Sequence, residues 1–230
     1  MSLNLTGIIN QNEFYSAHYL SDILEGDVKE VLSQWSRRAK EEKDFRAPWD
    51  ALGGLRQMFF ESRRELEQAR GATEVLDLQQ PFNASLLHAL GYPVKREVVA
   101  AAERSIPVLC NLRRTNGSPL LWAVEVAPVN GRAGENGEAN PLDLNLLPEQ
   151  YPENIPDDAR ALDATLEELL DDEIFRMDEP PRWVLLLSHG MAVLVDRGKW
   201  QEKRLLGFDL REILDRRESS TLRAMAALLH

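Results

Sequence analysis

Few residues in this chain are of a type that could do chemistry. The segment IPVLCNLRRTNGSPLLWAVEVAP (106–128) contains one carboxylate, Glu125. A strand glutamate helps to hold Mg²⁺ when an Asp on the neighbouring strand converges with it, and a Lys two residues further on shares its face because side chains alternate. Such a set activates water and stabilises the charge of phosphodiester cleavage. The structural alternative pairs Glu125 with Arg113 or Arg114 across the hairpin. The four histidines, His18, His88, His189 and His230, show no metal-ligand spacing and read as structural. The single cysteine, Cys110, excludes an intramolecular disulfide and a multi-cysteine metal centre, and it reads as a small buried strand residue. The sequence contains no phosphate-binding glycine loop, no G-x-S-x-G, no H-E-x-x-H and no zinc-ligand cluster.

Basic residues are the other candidates. Arg37, Arg38, Lys40, Lys43, Arg63, Arg64, Lys95, Arg96, Arg113 and Arg114 could meet phosphate. The net charge of −11 is no objection, because the acidity is local. Residues 135–179 hold 15 Asp or Glu against Arg160 and Arg176, and the rest of the chain is slightly basic, with 25 basic and 23 acidic residues. The acidic run reads as a solvated linker and helix face.

These residues need positioning elements. The 230 residues, 43% apolar and 28% charged, suit one large globular domain with an added helical segment. No run reaches the ~18 apolar residues of a membrane span. The opening MSLNLTGIIN lacks a basic, then apolar, leader, and a cytoplasmic protein is expected. Asn12 is placed to cap a first helix that Gly26 interrupts, and Val28, Val31, Leu32 and Trp35 mark one face of the next. Pro48 suits the first turn of a third helix, striped by Leu52, Leu55, Phe59 and Leu66. A strand is expected over 74–78 and a short helix over 82–90. Lys95–Ala101, Ile106–Leu112 and Leu120–Val129 read as strands, the last two joined at Asn116-Gly117, a strong hairpin signal. Leu120–Val129 is apolar on both faces and so central in a sheet. Residues 130–160, with NGRAGENGEANP and prolines at 148, 152 and 156, read as a mobile loop. Leu162 to Ile174 mark an amphipathic helix. Strands follow over 183–188, 192–196 and 203–208, then a helix over 210–229 that breaks near Glu218-Ser219.

In the order helix, strand, strand hairpin, strand, helix, strand, a hairpin carrying a carboxylate followed by a helix and another strand is the plan of the PD-(D/E)xK nuclease core. NEFYSAHYLSDILEGDVKEVLSQW (12–35) and RWVLLLSHGMAVLVDRGKWQEKRLLGFDLREIL (182–214) resemble the N-terminal region of type IIG-like restriction–modification and phage-defence DNA methyltransferases. The resemblance implies an α+β, restriction-endonuclease-like mixed sheet flanked by helices. It divides the chain into an N-terminal helical segment (1–71), a nuclease-like core (72–214) carrying the acidic loop 130–160, and a C-terminal helix (215–230) leading to a downstream domain. Carried onto this sequence, the motif's Pro is Pro107, its Asp position is Val108, its Glu is Glu125 and its Lys position is Ala127. A degenerate nuclease is therefore expected, binding double-stranded DNA weakly and serving a downstream adenine methyltransferase. That domain, not this chain, would hold S-adenosylmethionine. The alternative is an active Mg²⁺-dependent endonuclease whose carboxylates come from Glu61, Glu65 or Glu97.

Overall fold

The computed structural model describes residues 3–128 and 139–230. The elements are β1 Ile8–Gln11, α1 Leu24–Glu41, α2 Pro48–Gly54, α3 Arg56–Leu66, α4 Ala72–Ala89, β2 Glu97–Ala100, β3 Ser105–Val108, β4 Cys110–Arg113, β5 Pro119–Glu125, α5 Leu166–Leu169, β6 Trp183–Leu187, β7 Met191–Asp196, β8 Leu205–Asp209, α6 Leu210–Arg216 and α7 Ser219–Leu229. The fold is α+β. Its main sheet has six strands in the order β1-β8-β7-β6-β5-β4, and β2 and β3 form a separate two-stranded sheet. All pairs are antiparallel except β5 with β6, so the main sheet is mixed.

Strand alternation builds two cores. Leu121 and Ala123 of β5, Leu185 and Leu187 of β6, and Ala192 and Leu194 of β7 face one cluster. Trp122 and Val124, Val184 and Leu186, and Val193 and Val195 face the other. The first face is covered by Trp35, Trp49, Leu52, Phe59, Phe82, Leu86, Ile213 and Met225, which come from α1–α4, α6 and α7. The second is covered by Leu166 and Leu169 of α5, by Leu170 and Ile174 in the π-helical turn that continues it, and by Leu142, Leu144, Leu146 and Tyr151. Parallel neighbours cannot be joined by a tight turn, which is why a long crossover carrying α5 separates β5 from β6. The apolar stripes of α2–α3 and of 166–174 thus pack on opposite faces of the sheet, as expected of a sheet apolar on both sides.

Several expectations are corrected. The N-terminal segment is not wholly helical, because Ile8–Gln11 pairs with β8 as an edge strand. Asn12 caps no helix; it and Glu13 sit at φ 50° and 57° in a turn. The first helix begins as a π-helical turn over Tyr19–Ile23 and runs through Gly26 to Glu41. Glycine costs only about 1 kcal/mol there, and Leu24, Val28 and Trp35 bury one face of α1. The strand expected over 74–78 is part of α4, which also contains Pro81. Val75, Leu76, Gln79, Phe82, Asn83, Leu86 and Leu87 are buried at helical spacing, and this packing outweighs the proline's missing N–H. The strand expected over 106–112 is split: Ser105–Val108 pairs with β2, and Cys110–Arg113 pairs with β5 through the Asn116-Gly117 turn.

The acidic tract is not a solvated linker where it is described. Residues 139–161 bury Ala139, Leu142, Leu144, Leu146, Tyr151 and Ala161 against the sheet. The Tyr151 hydroxyl donates to the Ser105 carbonyl (2.9 Å) and accepts from the Ala161 N–H (3.1 Å). The expectation of mobility over 130–138 lies outside the described residues.

Candidate functional site: a buried glutamate at a strand end

Glu125 closes β5 and is 2% exposed. α4 crosses this strand end and meets it with amides. The Asn83 Nδ2 donates to Glu125 Oε1 (2.7 Å), and Gln79 Nε2 donates to the Val126 carbonyl (2.9 Å). Gln79 and Asn83 are four residues apart, so one helix face presents both. From the opposite side Gln150 Nε2 donates to the Glu125 carbonyl (2.8 Å), while Gln150 Oε1 accepts from the Leu147 N–H (2.8 Å). The amide oxygens Gln79 Oε1 and Asn83 Oδ1 are buried and without a partner. Burial pushes the Glu125 carboxyl above the usual carboxylate range, against the opposing pull of the Asn83 amide, the Arg96 charge, and Gln79 and Gln80.

A cavity of about 350 Å³ opens beside Glu125, lined by Gln80, Arg96, Glu97, Val108, Gln150 and Tyr151 among others. Val108 and Glu125, the Asp and Glu positions of the resemblance, therefore share one cavity. Ala127, the Lys position, is 3% exposed and packs with Val75 and Leu76 of α4. Magnesium needs several converging oxygen ligands with their charge intact. Here one buried carboxylate stands among neutral amides, and among the described residues there is no group of three His, Cys, Asp or Glu able to hold a metal ion. These residues do not fit the magnesium that the resemblance implies.

The pairing of Glu125 with Arg113 or Arg114 is not found. The hairpin turn lies at the other end of β5, where Arg113 is opposite Pro119 and donates to the Gly117 carbonyl (3.0 Å). Of the alternative ligands, Glu97 shares the cavity with Glu125, but it accepts from Asn111 (2.7 Å) and faces Lys95 (3.4 Å). Those groups and Arg113 hold its carboxyl low. Glu61 and Glu65 are exposed on α3, with Glu61 bonded to Gln57.

The basic candidates divide by element. Lys95, Arg96 and Arg113 surround Glu97, with Arg114 following on the hairpin turn. Arg37 and Lys40 line a surface groove on α1 with Lys29 and Arg223, while Arg38 is tied to Glu42 (2.8 Å) and lies over Phe45. Arg64 on α3 is exposed and bonds its own helix, and Arg63 lies near His189.

The sequence reading missed Gln79, Gln80 and Asn83, and it missed a second buried polar contact. His189, in the β6–β7 turn, holds Nε2 2.7 Å from Ser62 Oγ and stacks on Phe59, with centroids 4.8 Å apart. Burial, and secondarily the Arg63 charge, pushes the imidazole down to about 4, so it is neutral at pH 7 and closes the turn onto the helical layer. Set against protein-family models, curated proteins and solved structures, the chain matches none.

Proposed function

We propose that this chain is a nuclease-like module that has lost its metal site and holds double-stranded DNA for an adenine methyltransferase domain elsewhere in the same protein. The observation that carries the reading is the state of the site. Glu125 is buried among amides, Val108 stands beside it where a metal-binding Asp is required, and Ala127 is enclosed by Val75 and Leu76 where a lysine is required. The chain order α4, β2, β3–β4, β5, α5 and β6, with β5 and β6 parallel in a mixed sheet, supports it. The S-adenosylmethionine chemistry belongs to the downstream domain implied by the resemblance. DNA would meet Arg96 at the cavity mouth and the neighbouring Lys95 and Arg113 beside Glu97 by phosphate contact alone.

The second reading, a Mg²⁺-dependent endonuclease with relocated carboxylates, draws on one observation: Glu97 and Glu149 line the same cavity as Glu125. The engagement of Glu97 with Asn111 and Lys95 weighs against it. Duplex binding measured across salt concentrations tests the first reading. Affinity should fall steeply as salt rises, and Arg96→Ala with Arg113→Ala should weaken binding of all sequences alike and flatten the salt slope by about 2. No duplex binding at low salt would refute it.

A further inference from the structure

Beside Glu125, a carboxyl group meets an open cavity. It supplies two acceptor oxygens, of which Oε1 already accepts from the Asn83 amide (2.7 Å). A buried acceptor without a donor is costly, so an N–H donor is the complement this corner takes. Gln80 adds an amide at the cavity wall. Val108 and Leu109 from the strand side and Tyr151 and Pro152 from the loop supply flat or apolar wall, and Glu97, Glu149 and Gln150 add polar groups to the lining. Arg96 lies exposed at the mouth. The volume of about 350 Å³ falls in the range that encloses a small ligand. A flat heterocycle with an amino group on its polar edge and a phosphate beyond its sugar would satisfy each of these features. The amine gives N–H to the carboxyl oxygen, as acidic side chains accept from the cytosine amino group; the ring lies between the apolar walls, and the phosphate reaches Arg96.

We propose that this cavity receives one unpaired nucleobase carrying an exocyclic amine, turned out of a DNA strand, an inference that rests on the DNA-binding reading above. Its edge would meet Glu125 and Gln80, and its backbone phosphate Arg96. Thymine, which presents a single N–H between two carbonyl oxygens, would turn acceptors toward the carboxyl group and be disfavoured.

The test uses the full chain and three oligonucleotide duplexes: one fully paired, one with a single bulged adenine and one with a single bulged thymine. The bulged adenine should bind about tenfold tighter than the paired duplex, the scale of one stacked base. The bulged thymine should gain little. Gln80→Trp, from a half-buried position on α4, should fill the mouth and abolish the preference for the bulged adenine. Pro152→Trp, at an exposed loop position, repeats the block should the first variant fail to fold. Equal binding of all three duplexes, or a preference that survives both tryptophans, would overturn the pocket and leave the DNA-binding reading intact. If no duplex binds, calorimetry with deoxyadenosine monophosphate decides. Binding lost in the tryptophan variants upholds the pocket without the duplex; no binding overturns both.

Discussion

Glu125→Gln changes the charge of the site and keeps its shape. The Asn83 amide, 2.7 Å from Glu125 Oε1, can donate equally well to a glutamine oxygen. Gln79 and Gln80 also turn donors toward the carboxyl, and an N–H₂ in place of the second oxygen gives up such a bond, a loss of about 1 kcal/mol, or ~3 °C in Tm for a chain of this length. A second, opposing contribution depends on pH. Burial raises the Glu125 carboxyl above its unfolded value, so the folded state binds the proton more tightly than the unfolded chain. The native protein therefore has its full stability below the unfolded carboxylate value and loses some as pH rises through the folded one. Glutamine is free of that loss. Urea unfolding at pH 5 and pH 8 should show the variant gaining stability relative to the native protein as pH rises. A variant less stable at pH 8 by more than ~1 kcal/mol would show that the ionised carboxylate is needed here, and would refute the reasoning.

Three further outcomes follow from the packing. Phe59 is fully buried between His189 and Phe82, and Phe59→Ala should cost about 3–5 kcal/mol in urea unfolding; a loss under ~1 kcal/mol would mean that α3 does not cover the sheet as described. His189, held near 4, gives stability that is complete above the unfolded histidine value and is lost as pH falls from about 6.5 toward 4, at most about 3 kcal/mol. His189→Gln should flatten that acid limb, and an unchanged limb would contradict the assignment. Ala127→Lys, which restores the residue type of the motif, would place an ammonium against Val75 and Leu76 and should destabilise by about 2 kcal/mol or more; a neutral effect would show that the position is open to solvent.

Local chemistry made part of the fold readable. Asn116-Gly117 announced the β4–β5 hairpin, Pro48 opened α2, and the two-faced apolar run before Glu125 pointed to a central strand with cover on both sides. The missed parts depend on partners distant in the chain. Ile8–Gln11 is a strand because β8 lies beside it, and four residues carry no period of their own. Pro81 and a β-branched valine favoured a strand in what is helix α4, whose buried stripe runs across the proline. The alternation Leu142, Leu144, Leu146 signalled a packed segment, but glycines, prolines and charges around it suggested a solvated loop. Glu125 stood out as a lone strand carboxylate. Its amide partners did not, although Gln79 and Asn83 occupy the apolar stripe of α4 four residues apart. Polar residues inside a buried helical stripe were the overlooked signal.

Plasmid nicking with Mg²⁺ or Mn²⁺, run beside Glu125→Ala, tests the central claim most directly. A site with one buried carboxylate, with Val108 and Ala127 in place of Asp and Lys, should leave supercoiled DNA uncut with either metal. Metal-dependent nicking that disappears in Glu125→Ala would contradict the account and restore the site to catalysis.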